Sequence, residues 1–239
     1  MRICRCCFIF EKPVSVYKMI KLRNQELKLF KKGGGILTKI YIAQDEFNSD
    51  EEYILFENIQ KVSKLYIGPS EYDNYDDETR QFLYDFICKQ ALFPVFLTFE
   101  PYNDLTEEIK NTFQKECIPY SIRFESTKKK NFPVFNAIIN DAHTLKLILD
   151  ETFWIASSNQ FYAISFSNHI RYKLALKKGL FGGEKPYMLP CFYMKDTTTI
   201  IKLWHDGQGF HLYTNDPRYS TIEKLTNHLP NGTIIENKE

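Results

Sequence analysis

Thr198-Thr199-Ile200-Ile201-Lys202-Leu203-Trp204-His205-Asp206-Gly207-Gln208-Gly209-Phe210-His211-Leu212-Tyr213-Thr214 is the stretch that decides the fold. Two β-prone runs flank Asp206-Gly207, the strongest short signal for a two-residue hairpin turn, because both central positions need positive φ. That turn sets Leu203 opposite Phe210 and Ile201 opposite Leu212 on one face. Lys202, Trp204, His211 and Tyr213 then take the other face. Ser220-x-x-Glu223 follows as a capping signal for a helix carrying Ile222, Leu225 and Leu229. Asn231-Gly232 ends it, and residues 233–236 add a short strand.

Working back, residues 191–194 read as a strand. Residues 168–189 read as an irregular basic loop with Arg171, Lys173, Lys177, Lys178 and Lys185, loosened by Gly179, Gly182 and Gly183. Residues 153–156 and 161–166 read as a hairpin across Ser157-Ser158-Asn159-Gln160. Asn140 is expected to cap a helix reaching Leu149, after a strand over 134–139. The second half, residues 131–239, is therefore expected to be an antiparallel sheet with one C-terminal helix.

Residues 37–125 have another pattern. Strands are expected over 38–43, 65–67, 93–99 and 118–124, the third being central. Helices are expected between them. The first is capped by Ser49 and carries Leu55, Ile59 and Val62; the second has the stripe Phe82, Leu83, Phe86 and Ile87. The third opens at Asp104-x-x-Glu107, with Leu105, Ile109 and Phe113 inward. Strand–helix alternation favours a mainly parallel sheet. The fold class is thus α+β with an α/β-like first half.

The chain has 239 residues, 31 Lys+Arg against 30 Asp+Glu, and 15% aromatics, enough apolar chain for a large core and incompatible with a disordered polypeptide. No apolar run approaches a membrane-spanning length. Residues 1–36 carry nine bases and two acids, and three of the six cysteines. They read as a basic leader outside the folded body. Lys32-Gly33-Gly34 is what an in-frame ribosome-binding sequence would spell, and Leu37 stands where a TTG start codon would follow; the alternative is an ordinary flexible basic tail. The remainder holds 22 bases and 28 acids. Scattered cysteines, with Cys88, Cys117 and Cys191 each amid apolar residues, suit a cytoplasmic setting and no metal site.

Charge divides along the chain. Residues 37–125 hold 18 acids and 8 bases; residues 126–239 hold 10 acids and 14 bases. Asp45, Glu46, Asp50, Glu51, Glu52, Asp73, Asp76 and Asp77 are expected to form an acidic face for a basic protein partner, joined by Trp204 and His211 from the hairpin. The bland alternative is a set of solvated helix N-termini. The net negative charge after residue 36 opposes nucleic-acid binding. No phosphate-binding loop, nucleophile elbow or cofactor motif is present. An alternative function is a small α/β enzyme with its site at strand carboxyl ends near Asp45 and Ser70.

Cys191 to about Ile235 resembles the closing unit of cytosolic immunity-type protein families of Gram-positive bacteria. The likeness rests on the hairpin quoted above and the helix after Ser220. It implies a non-enzymatic protein that neutralises a co-encoded toxin, and it transfers no site residue. A phage-encoded or regulatory adaptor is a third possibility, which residue patterns alone do not separate from the first.

Overall fold

The hairpin forms in the expected register. Leu203 lies opposite Phe210 and Ile201 opposite Leu212. Asp206 (φ 54°) and Gly207 (φ 73°) occupy the two positive-φ corners, and the Gln208 N–H donates to the His205 carbonyl at 2.9 Å. Around it, the computed structural model describes residues 38–47, 53–58, 61–70, 74–126, 131–178, 183–194 and 197–236. They belong to one compact unit, Ile36–Glu239. The expected leader, and the Ser49 cap, lie outside the described residues.

In chain order the elements are β1 (Thr38–Asp45), β2 (Leu55–Glu57), β3 (Ser63–Pro69), α1 (Tyr75–Gln90), β4 (Val95–Phe99), α2 (Thr106–Lys115), β5 (Tyr120–Ser126) and β6 (Asn131–Ile139). There follow α3 (Ala142–Ser157), β7 (Tyr162–Ser165), β8 (Arg171–Lys178), β9 (Glu184–Tyr193), β10 (Thr199–Leu203), β11 (Phe210–Thr214), α4 (Ile222–Thr226) and β12 (Thr233–Ile235). Nine strands form one sheet in the order β12-β1-β3-β11-β10-β7-β4-β6-β5, and β2-β9-β8 form a smaller one. The class is α+β.

The parallel first half does not form. Every neighbour pair in the large sheet is antiparallel except β1 with β12. A parallel sheet needs helices on both faces. Here the α1 and α3 side chains share one core with a single face of the sheet, through Leu65, Ile67, Leu97, Ile164, Ile201 and Leu212. The division at residue 126 also dissolves: β11 and β10, from the second half, stand between β3 and β4, from the first.

The α1 stripe is as expected, with Phe82, Leu83, Phe86 and Ile87 buried. Phe82 and Phe86 each lie 6.2 Å from Phe210 on the hairpin. β4 is an interior strand but not the central one, which is β10, and Pro94 precedes it. α2 starts at Thr106 behind a 3-10 turn over Asn103–Leu105, with no side-chain cap from Asp104.

Three elements differ from expectation. Residues 153–156 continue α3 instead of opening a hairpin. Leu145, Ile148, Leu149, Thr152, Phe153 and Ala156 are buried at three- and four-residue spacings, which outweighs the strand propensity of Phe153 and Ile155. The cap is Asp141, accepting from the Thr144 N–H at 2.7 Å, and not Asn140. Residues 55–57 are a strand parallel to Cys191, Phe192 and Tyr193 instead of part of a helix. Residues 171–178 and 184–193 are a regular hairpin instead of an irregular loop.

The small sheet covers part of the large sheet's second face. Ile54, Ala163, Ile170, Phe192, Met194, Ile200 and Tyr213 form that separate core. Phe56, Phe192 and Tyr213 pack there as a mutual ring triad, with centroids 5.2–5.5 Å apart.

Candidate functional site

The described members of the expected acidic face do not lie together. Asp50, Glu51, Glu52 and Asp73 lie outside the described residues. Asp76 and Asp77 open α1, on the helix side of the large sheet. Asp77 is bound to Arg80 at 2.6 Å, and Arg80 also reaches Asp150 at 3.8 Å. These acids stand where the α1 dipole favours them. Asp45 and the exposed Glu46 end β1, and Asp45 is turned to the opposite side. There its Oδ2 is 2.9 Å from His211 Nε2 and 3.4 Å from Lys64 Nζ. His211 alternates along β11 with Phe210 and Leu212, whose side chains join the helix-side core. The described candidates therefore divide between two faces.

Trp204 is 37% exposed, but His211 is only 3% exposed and cannot serve as a contact residue without rearrangement. The Trp204 ring meets it edge-on at 4.6 Å, and Tyr66 lies 5.4 Å away on the neighbouring strand. Lys202 stands 5.6 Å over the Trp204 ring. Tyr66 reaches across Gly68 and donates its hydroxyl to the Gln208 carbonyl. Only glycines fit beneath that ring: a Cβ at Gly68 would come within 2.9 Å of three Tyr66 atoms, and one at Gly209 within 2.4 Å of the Ile67 carbonyl.

Burial first, then the Lys64 charge, lower the His211 pKa to about 4, against the upward pull of Asp45. The imidazole is therefore neutral near pH 7, donating through Nε2–H to Asp45. Its Nδ1 is left as a buried acceptor with no hydrogen-bond partner among the described residues. Such an oriented imidazole is a potential general base, yet Nδ1 is sealed from solvent and no nucleophile is seen at it. Ser70, the other residue of the expected enzyme site, is far from this cluster. β1 and β3 are antiparallel, so Lys64 faces Asp45 while the Ser70 N–H donates to the Lys39 carbonyl at 3.3 Å. Six residues of strand, about 20 Å, separate the two ends.

The prominent surface feature lies in residues 171–193, where the residue pattern predicts an irregular loop. β8 and β9 form an arm whose base is fixed and whose outer part is exposed. At the base, Tyr172 donates its hydroxyl to Glu100 Oε1 at 2.5 Å and packs against Phe132 and Phe161, each 6.0 Å away. Burial and the adjoining Glu100 hold that phenol well above its ordinary pKa, so it stays a donor. Leu174 and Leu176 continue the same face of β8 at two-residue spacing, and they are 64% and 62% exposed. Met188 and Pro186 lie opposite them on β9. On the other face Lys173 is ion-paired to Glu57 of β2, and Tyr187 meets Tyr53 at 5.8 Å. Among the described residues the outer edge of β8 pairs with no strand. Alternation in Tyr172-Lys173-Leu174-Ala175-Leu176-Lys177 was the available signal, masked by the lysines and by the glycines that follow.

Cys88 is half-buried, Cys191 buried and Cys117 exposed, all as free thiols, so the apolar setting expected for Cys117 is not found. Among the described residues no three His, Cys, Asp or Glu side chains gather as a metal site, and no helix is long and apolar enough to cross a membrane. No protein-family model, curated protein or solved structure matches the chain.

Proposed function

We propose that this chain is a non-enzymatic binding protein that engages a macromolecular partner through the β8–β9 arm. The carrying observation is the exposure of Leu174 and Leu176 side by side on a strand whose outer edge pairs with no other strand among the described residues. Natural sheets blunt such edges with charge or cover them, and covering each leucine would contribute about 1–2 kcal/mol. Five bases, Arg171, Lys173, Lys177, Lys178 and Lys185, stand on the two strands against one acid, Glu184, and Lys173 is paired with Glu57 of β2. The partner surface that fits is acidic, opposite in sign to the one expected from the composition of residues 37–125. An immunity or inhibitor role, to which residues 191–235 bear resemblance, belongs to this class of function.

The test is affinity capture from the native host, with wild type and the L174E/L176E double variant as baits. The variant changes exposed positions, and its unfolding midpoint should match wild type. A partner held by wild type, lost by the variant and released as salt rises supports the reading. A partner held equally by both overturns it.

A further inference from the structure

We infer that the partner adds a strand to the outer edge of β8, as an extended segment that alternates acidic and apolar residues. The inference rests on the binding role of the arm and specifies its mode. β8 carries its full eight-residue length in strand geometry and, among the described residues, pairs on one side only, with β9. Its backbone on the other side offers a row of donors and acceptors, the template that strand addition uses. Its side chains supply two pocketless but distinct surfaces. Leu174 and Leu176 project to one face, while Lys173 and Lys177 project to the other. An incoming strand also has period two, so its apolar residues fall beside the leucines and its acids beside the basic face that starts at Arg171, where Lys173 also pairs with Glu57.

Charge selects against a second copy of this chain. Antiparallel self-pairing centred between Leu174 and Ala175 would set Arg171 opposite Lys178, and like charges directly opposite destabilise a sheet. Parallel self-pairing would align each lysine with itself. An acidic strand meets the same groups with complementary charge, and steering by them speeds its arrival. A nucleic acid would satisfy the cations but leave the β8 backbone and both leucines unused.

The probe is a fluorescent, amidated peptide of alternating Glu and Val, eight residues long. It is titrated into the full chain by anisotropy, beside three controls: the same peptide N-methylated at alternate residues along either edge, octaglutamate, and single-stranded oligo-dT. Hydrogen exchange across residues 171–178 is followed in parallel. Strand addition predicts binding of the alternating peptide and slowed exchange confined to β8. It predicts at least about tenfold weaker binding when the pairing edge is methylated, and a similar loss with L174E/L176E. Equal binding of both methylated peptides, octaglutamate or oligo-dT overturns it, as does an absence of binding by the alternating peptide. Those failures would leave the capture result with L174E/L176E standing, so the mode and the binding role fail separately.

Discussion

Acidification from pH 7.5 to pH 5 should weaken the fold through His211. The unfolded chain binds a proton at an ordinary histidine pKa of about 6.5. The folded chain resists it until about pH 4, because the ring is buried and Lys64 lies nearby. Between those values the unfolded state holds more protons, so stability is full above about pH 6.5 and falls as pH drops toward 4. At pH 5 the loss from this one group is about 2 kcal/mol, rising to about 3 kcal/mol by pH 4. The perturbation that isolates it is His211→Gln, which keeps an N–H for Asp45 and has no titration of its own. Urea unfolding of both proteins at pH 7.5 and pH 5 gives the difference of differences. His169, which burial also holds below its ordinary pKa, contributes equally to both and cancels. Wild type should lose about 2 kcal/mol more than the variant. Asp45, Lys64, Lys202, Tyr66 and Tyr213 surround the ring. Parallel slopes for the two proteins, or an NMR titration of His211 centred near pH 6.5, would refute the reasoning.

Three other substitutions, with Gly183→Ala as a control, probe the frame of the fold. Phe210→Ala removes a fully buried ring packed on Phe82 and Phe86, and should cost about 3–5 kcal/mol in urea unfolding. Gly209→Ala would drive a Cβ to 2.4 Å from the Ile67 carbonyl at φ 108°; it should lower the melting temperature by about 10 °C or more, while Gly183→Ala, which meets nothing within 4 Å, should leave it within a degree or two. Asp216→Ala removes a carboxylate that binds Arg218 through Nε and Nη2, at 3.0 and 2.7 Å, and accepts from its backbone N–H. It should cost about 1–3 kcal/mol, read in the same unfolding assay.

Residues 198–214 were legible because their information is local. Asp206-Gly207 dictates the turn, and period two then leaves one register in which Ile201, Leu203, Phe210 and Leu212 share a face. The α1 stripe was legible for the same reason, at period 3.6. Failures came where propensity and period disagreed, or where the partner strand was distant. In residues 153–156, Phe153 and Ile155 favour a strand by type, but Phe153 and Ala156 sit in phase with Leu145 and Leu149. Leu55-Phe56-Glu57 has no period long enough to read, and becomes a strand only because Cys191, Phe192 and Tyr193 lie beside it. The parallel sheet was inferred from element order, which does not record that the helix-side core lies on a single face.

The candidate site was the least legible part, and the reason is spatial. A count of charge along a chain becomes a charged surface only if the counted residues remain neighbours after folding. Among the described residues of the first half they do not: β1 and β3 are parted from β4 by strands of the second half, and α1 carries its acids to the other side of the sheet from Asp45. His211 shows the same gap at one residue. Alternation placed it opposite Leu212 and Phe210, correctly, but whether that face meets water depends on Trp204 and Tyr66 folding over it. The arm differs because β8 and β9 are consecutive and paired with each other. The basic positions of the two strands and the exposed Leu174 and Leu176 therefore stay on one paired unit, whereas the described acids of the first half divide between two faces of the large sheet.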